Sequence, residues 1–289
     1  MSQRAVVLTA CLNTYGSVSY PATPHTVHEI IASAVDANAS GAAVAHIHGL
    51  HGMDEQGRAT KPDLRAWQAI VEGIRRQCEM VVQFGVTVMD EADRLSVLDT
   101  ARPDMMAVTL GDVHGIVEGK ELYARHDRGE LASLLARLRE YGVTPELEVF
   151  NEGAIWNARW LIEKRLLRPR SDFLFFTLPV AFPGGIHSPA NLHSLAYRSS
   201  LLPHDSEWQG ICFVEPKGTA TPAEQWRILA GSVALGGHTR VGVEDSPYFA
   251  DGADAGSNAE LVERLAWIVR NLGHRPAEAG ELRARLSFR

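Results

Sequence analysis

The feature that most limits how this chain can fold is an alternation kept up from end to end. Short apolar runs are each followed by a longer stretch whose apolar residues recur at helical spacing. Residues 5–12, 41–48, 80–86, 105–110, 144–150, 173–179, 208–214 and 238–243 read as strands. Helical patterns follow at about 24–37, 64–74, 91–100, 130–141, 154–164, 189–198, 222–235 and 258–272, the seventh opening on Pro222, a favourable first-turn residue. Residues 49–61, 111–128 and 180–188 read as loops. Eight strand–helix units without a composition break predict an α/β fold, one TIM (β/α)8 barrel over 1–289 with a C-terminal extension from about residue 273. A doubly wound open sheet is the competitor. The segment after the first strand, Thr9-Ala10-Cys11-Leu12-Asn13-Thr14-Tyr15-Gly16, lacks the glycine fingerprint of that fold's dinucleotide-binding form.

Charge and cysteine content narrow the functional classes. A formal net charge of −7 and a pI near 5.9 argue against nucleic acid or an anionic membrane as partner. Three scattered cysteines, Cys11, Cys78 and Cys212, suit a reducing compartment. The first residues run straight into a strand pattern without a signal-peptide architecture, and no apolar run reaches membrane-spanning length. The expectation is a soluble cytoplasmic protein.

In a barrel the chemistry lies where the strands end. Those ends carry Asn13, His46 and His48, Gln83 and Gly85, Thr109, Glu146 and Glu148, Pro179, Glu215, and Glu244 with Asp245. His46 and His48 are two residues apart, so on a strand both imidazoles project from one face while Ala45 and Ile47 pack on the other. Two such imidazoles make half a zinc site; the alternative is a pair of polar residues where a strand meets its loop. Arg240, Gly242 and Glu244 share a parity on the eighth strand, which closes beside the first. A Glu244 carboxylate could therefore reach the imidazoles and complete a three-ligand site with an open position, unless Glu244 and Asp245 are solvated loop residues. Glu146 and Glu148 in an apolar strand are either ion-paired or a grip on a cationic or metal-bound group. The loop Phe182-Pro183-Gly184-Gly185 offers backbone amides to a ligand or is an ordinary turn. Arg240 is a barrel-interior ion-pair partner or an orienter for Asp245.

Taken together, His46-Ile47-His48, Pro145-Glu146-Leu147-Glu148-Val149, Pro183-Gly184-Gly185 and Gly236-Gly237-His238-Thr239-Arg240-Val241-Gly242-Val243-Glu244-Asp245 resemble the β-keto acid cleavage enzyme family, over nearly the whole chain. The resemblance implies a zinc-dependent TIM barrel that condenses a β-keto acid with acetyl-CoA and cleaves the adduct in a retro-Claisen-type step to acetoacetate and a new CoA thioester. It implies His46, His48 and Glu244 as Zn²⁺ ligands, Asp245 as general base and Arg240 as its partner. Glu148 matches a substrate-side carboxylate, and Asn13, Gly85, Thr109, Gly184 and Gly185 complete the expected substrate-binding set. It also implies a homo-oligomer, with a tetramer favoured.

Departures from the family pattern lie on the substrate side. Leu50 replaces an arginine two residues after the second histidine, and Gly16 stands where the aminohexanoate-cleaving members carry a glutamate. Gly85 and Ala107 replace hydroxyl-bearing residues, and Thr109 replaces an asparagine. These changes predict a divergent member with a less anionic or bulkier substrate. Two other classes compete: an amidohydrolase-like metal hydrolase, and a catalytically silent barrel that binds zinc and a small ligand.

Overall fold

The computed structural model describes residues 3–14, 20–53, 59–117, 120–182 and 188–288. Eight parallel strands close into a barrel: β1 Leu8–Cys11, β2 Val44–Ile47, β3 Val81–Phe84, β4 Met105–Thr109, β5 Thr144–Glu148, β6 Phe175–Val180, β7 Glu207–Cys212 and β8 His238–Val241. β8 pairs with β1 (Arg240 opposite Thr9), and β1 with β2 (Cys11 opposite His46). Helices α1 Val27–Ala39, α2 Leu64–Gln77, α3 Glu91–Ala101, α4 Arg128–Tyr141, α5 Glu152–Glu163, α6 Leu192–Ser200, α7 Pro222–Ala234 and α8 Asn258–Asn271 follow the strands in turn. The expected alternation is thus the observed TIM barrel.

Local signals explain where the helices begin. Thr26 with Glu29 and Thr221 with Glu224 form reciprocal capping boxes at α1 and α7, and Pro222 occupies the first turn of α7. Residues facing out of the barrel, among them Ala45, Ile47, Val82, Phe84, Leu147, Phe176 and Val241, join the helices' apolar faces in one continuous core. That burial on both faces is what a parallel sheet requires.

The barrel's two ends are built differently. At the base, inward-facing Val7, Val44, Val81, Met105 and Phe175 meet Ala277, Ala279 and Leu282 from the C-terminal tail. Residues Ala5–Val6 pair in parallel with Arg275–Pro276, and a short helix α9, Ala279–Arg283, crosses beneath the strands. Arg283 hydrogen-bonds Asp104 and the carbonyls of Glu79 and Met80, while Phe288 is fully buried under the Arg139 guanidinium, 3.9 Å from it. The tail therefore closes the N-terminal pole, leaving chemistry to the opposite one.

Three segments differ from their sequence reading. The expected first strand splits: its start pairs with the tail and only Leu8–Cys11 enters the barrel. The stretch expected to be an extended loop contains an antiparallel hairpin, Val113–Val117 with Lys120–Ala124, where His114 stacks on Tyr123 at 4.3 Å. Cross-strand stacking of this kind stabilises a hairpin. A smaller hairpin joins His51–Met53 to Ala59–Pro62.

Candidate functional site

At the open pole the side chains of His46, His48 and Glu244 converge. His46 Nε2 and His48 Nε2 are 3.3 Å apart, Glu244 Oε1 is 3.0 Å from His48 Nε2, and Glu244 Oε2 is 3.1 Å from His46 Nε2. In a tetrahedral zinc site, bonds of about 2.05 Å set neighbouring donors about 3.3 Å apart, so these spacings fit the edges of such a site. Glu244 Oε2 is buried and has no aligned hydrogen bond, although two nitrogens lie within 3.1 Å, as expected of an oxygen facing a cation. The residues fit a divalent ion of the zinc type. Charge is consistent with this. Burial would raise the Glu244 carboxyl, but Arg240, His46 and His48 hold it well below the usual carboxylate range. Burial and Arg240 press the His46 imidazolium down, yet the adjacent Glu244 carboxylate outweighs them and raises it. A dication would supply the positive counter-charge to Glu244 in place of a proton on His46.

The local fold explains the convergence. His46 lies on β2 and His48 just past it, where the His48 N–H donates to Asn13 Oδ1 at 3.0 Å and its carbonyl accepts from His51 Nε2 at 3.0 Å. Asn13 Nδ2 in turn donates to the Gly49 carbonyl at 2.8 Å. Both ends of the Asn13 side chain are thus engaged in holding the turn that carries His48. Gly85 is essential for another reason. A Cβ there would lie 2.6 Å from both His46 Nε2 and His48 Cε1, while its own N–H already donates to the Ile47 carbonyl. Gly85 provides room for the imidazoles and has no free amide to offer a substrate.

His46 is oriented from below by a polar layer inside the barrel. Glu146, which can only accept when ionised, takes hydrogen bonds from Gln83 Nε2, Thr177 Oγ1 and Gln209 Nε2. Gln83 must then turn its Oε1 to His46 Nδ1, 2.8 Å away, which fixes the proton on Nδ1 and leaves the Nε2 lone pair for the cluster. Thr9 completes the layer by donating to Gln209 Oε1 at 2.8 Å. Burial, then the neighbouring Glu148 charge, raise the Glu146 carboxyl. Among the described residues neither glutamate of β5 is ion-paired. Glu148 Oε2 instead accepts from the hydroxyls of Thr87 and Thr109, each at 2.6 Å.

The eighth strand delivers two acids rather than one. β8 ends at Val241, and Gly242, at φ +157°, starts a tight turn in which both Asp245 N–H and Ser246 N–H donate to its carbonyl. A Cβ at Gly242 would meet the Cys11 carbonyl oxygen at 2.2 Å. The turn overrides strand alternation and brings Glu244 and Asp245 to the same side. Arg240 grips Asp245 in a fork, Nε to Oδ2 at 3.0 Å and Nη2 to Oδ1 at 2.8 Å, and its Nη2 lies 2.8 Å from Glu244 Oε2. Burial would lower the Arg240 guanidinium, but Asp245 and Glu244 hold it well above its ordinary value. Cys11 donates its thiol to Asp245 Oδ2 at 3.1 Å; burial and then Asp245 keep that thiol protonated.

Of the residues expected from sequence, His46, His48, Arg240, Glu244 and Asp245 share one cluster, with Glu148 and Thr109 across the mouth beside Thr87. Asn13 and Gly85 lie in the same region as supports. Gly16, Gly184 and Gly185 lie outside the described residues. Sequence reasoning missed Cys11, Thr87 and the orienting role of Gln83. Only Gln83, at a strand end on the inward parity, carried a signal that could have exposed it.

Fold and site define a parallel (β/α)8 barrel with a candidate metal centre at its C-terminal mouth. The chain belongs to the beta-keto acid cleavage enzyme family, whose profile matches residues 6–288. It is similar to a 3-keto-5-aminohexanoate cleavage enzyme of Fusobacterium nucleatum, with 29% identity over 93% of this chain and 92% of that one. A 3-oxoadipate:acetyl-CoA acetyltransferase of Cupriavidus necator is 26% identical over 93% of this chain and 89% of its own length. Among solved structures, the binary complex of ObcA with oxaloacetate superposes with a TM-score of 0.72, at 17% identity, over 91% of this chain and 67% of that one. That last likeness is one of fold. Among the described residues no helix is long and apolar enough to cross a membrane.

Proposed function

We propose that this chain condenses a β-keto acid with acetyl-CoA and cleaves the adduct to acetoacetate and a new CoA thioester. The observation that carries the reading is the convergence of two imidazoles and a carboxylate beside an Arg240-held Asp245, in a family whose curated members include acetyl-CoA-dependent transferases. His46, His48 and Glu244 would hold Zn²⁺, which when bound supplies Lewis-acid polarisation to a keto oxygen. Asp245 takes the proton from the carbon between the two carbonyls of the acid. That carbon forms a bond to the acetyl carbonyl of acetyl-CoA, and the CoA thiolate leaves. The thiolate then attacks the acid's original keto carbon. The carbon–carbon bond to the former methylene breaks, and the acetoacetate carbanion regains the proton from Asp245. Arg240, forked onto both Asp245 oxygens, keeps that carboxyl aimed through each transfer. Glu148, with Thr87 and Thr109, bounds the substrate on the far side. The proposal includes a soluble, cytoplasmic homo-oligomer, a tetramer by resemblance, acting on small molecules.

The test is to supply zinc-loaded protein with a panel of β-keto acids, with and without acetyl-CoA, and follow CoA esters. Acetoacetate and a new acyl-CoA in equal amounts, only with acetyl-CoA present, are expected. Product released without acetyl-CoA would mean a hydrolase, and no product with any acid would mean a silent binder; either refutes the reading.

A further inference from the structure

The resemblance implies that most of the family's usual anion contacts are replaced in this chain, so a β-keto acid's carboxylate needs another partner. Most donors at the mouth are engaged. The Thr87 and Thr109 hydroxyls donate to Glu148, Asn13 holds the His48 turn, the Gly85 N–H is taken by Ile47, and the charge of Arg240 is balanced by Asp245 and Glu244. Leu50, at the position of the family's arginine, packs against the core.

One cation stands apart. After β7 the chain folds into a tight turn in which the N–H groups of Lys217 and Gly218 both donate to the Val214 carbonyl. Gly218 packs so closely that a Cβ there would lie 2.0 Å from the Phe213 carbonyl oxygen. This turn aims Lys217 across to the end of β8, where its Nζ donates to the backbone carbonyl of Glu244 at 3.0 Å and lies 5.3 Å from the centre of the Tyr20 ring. Lys217 is half-buried, and among the described residues no carboxylate pairs with its ammonium. A carbonyl and a ring face each stabilise a cation, but neither neutralises it, and an ammonium has three N–H bonds to give. Burial lowers the Lys217 ammonium, and the Glu244 and Asp245 carboxylates favour its charge without pairing with it. A half-buried ammonium with N–H bonds left to give, beside the candidate metal cluster, is suited to an incoming anion.

Resting on the reading under Proposed function, we propose that Lys217 receives the carboxylate of the β-keto acid, so that the substrate is an anion held from β7 rather than from the loop after β2. The carboxylate stays on the carbon fragment that leaves as acetoacetate, so Lys217 holds substrate and product by the same group. This replaces the expectation of a less anionic substrate.

The test compares wild type with Lys217→Met and Lys217→Arg, each matched for bound zinc. Binding of acetoacetate is measured by calorimetry, and that of its uncharged methyl ester in parallel. Loss of a charge-assisted contact should weaken acetoacetate by about 10- to 100-fold in Lys217→Met, with most of the affinity restored in Lys217→Arg. The methyl ester should bind all three proteins alike. In turnover, the KM for the keto acid should rise by a similar factor while that for acetyl-CoA stays put. Unchanged acetoacetate binding in Lys217→Met, an equal loss for the ester, a rise confined to acetyl-CoA, or a wild type that does not bind acetoacetate would each overturn the inference. Wild type that binds acetoacetate through Lys217 but turns over no β-keto acid would instead refute the proposed reaction alone.

Discussion

Replacing Gly85 by alanine tests the geometry on which the metal assignment depends. The added methyl would sit 2.6 Å from His46 Nε2, 2.6 Å from His48 Cε1 and 2.7 Å from His46 Cε1. Ordinary contacts between such atoms begin near 3.5 Å, so the rings must withdraw by about 0.9 Å. Metal–ligand distances tolerate only about 0.2 Å, so a shift of that size removes at least one imidazole from the coordination sphere. Both rings are buried, which restricts where they can go. The overpacking should cost about 1–3 kcal/mol of stability, a fall in melting temperature of roughly 2–10 °C. Zinc affinity should fall by more than the roughly 10- to 100-fold that follows loss of a ligand's orienting partner. Chelator competition at fixed pH gives the affinity, and a thermal melt of the metal-free protein gives the stability. Gly111→Ala is the control, because a Cβ there meets nothing nearer than 3.5 Å. A Gly85→Ala protein that melts like wild type and binds zinc as tightly would show that the two imidazoles do not share an ion in this arrangement.

Three further outcomes follow from the same geometry. Gln83→Leu removes the acceptor that fixes the His46 tautomer and takes a donor from buried Glu146; zinc affinity should drop about 10- to 100-fold, and an unchanged affinity would exclude an orienting role. Asp245→Asn should retain zinc while lowering kcat by about 10²–10⁴, as steady-state rates on matched metal-loaded samples would reveal; a rate near wild type would remove Asp245 as base. At the base of the barrel, His238 Nδ1 accepts from the Val7 N–H and its Nε2 donates to Glu207, so the folded protein holds this ring neutral. Burial keeps it below its ordinary value despite Glu207, whereas the unfolded chain takes up a proton near pH 6.5. Glu207 is likewise lowered overall: burial would raise it, but His238 and Arg285 outweigh that. Both shifts make the unfolded state bind more protons in acid, so stability should fall as pH drops below about 6.5 and again below about 4.3. Melts of His238→Gln between pH 7 and 5 should show a shallower slope than wild type, and an identical slope would contradict the assignment.

How much of this was legible beforehand depends on which physical rule placed each residue. The barrel was legible because eight periodic segments leave few ways to bury eight strands. The imidazole pair was legible because alternation on β2 puts His46 and the residue two beyond it on one side. Glu244 followed from parity, but Asp245 did not; its position comes from the turn at Gly242, which strand alternation does not describe. Cys11, Thr87 and Lys217 were hidden because their meaning depends on distances across the ring, between residues far apart in sequence. Asn13 and Gly85 were assigned to the substrate, yet one is occupied by backbone and the other provides space. The hairpin of Val113–Val117 with Lys120–Ala124 is not legible because its His114–Tyr123 stack joins side chains across two strands, which periodicity along one strand does not reveal.

The segment that seals the base has a consequence for how the molecule is made. Residues 275–288 supply Leu282 and Phe288 to that seal, and they leave the ribosome after every strand of the ring. A nascent chain can pair its barrel strands in order, but the Ala5–Val6 extension ahead of the first one lacks its partner until translation has passed Pro276. Closure of the barrel's underside is therefore gated by residues 275–288, and a chain without them would hold a ring whose base is open to water.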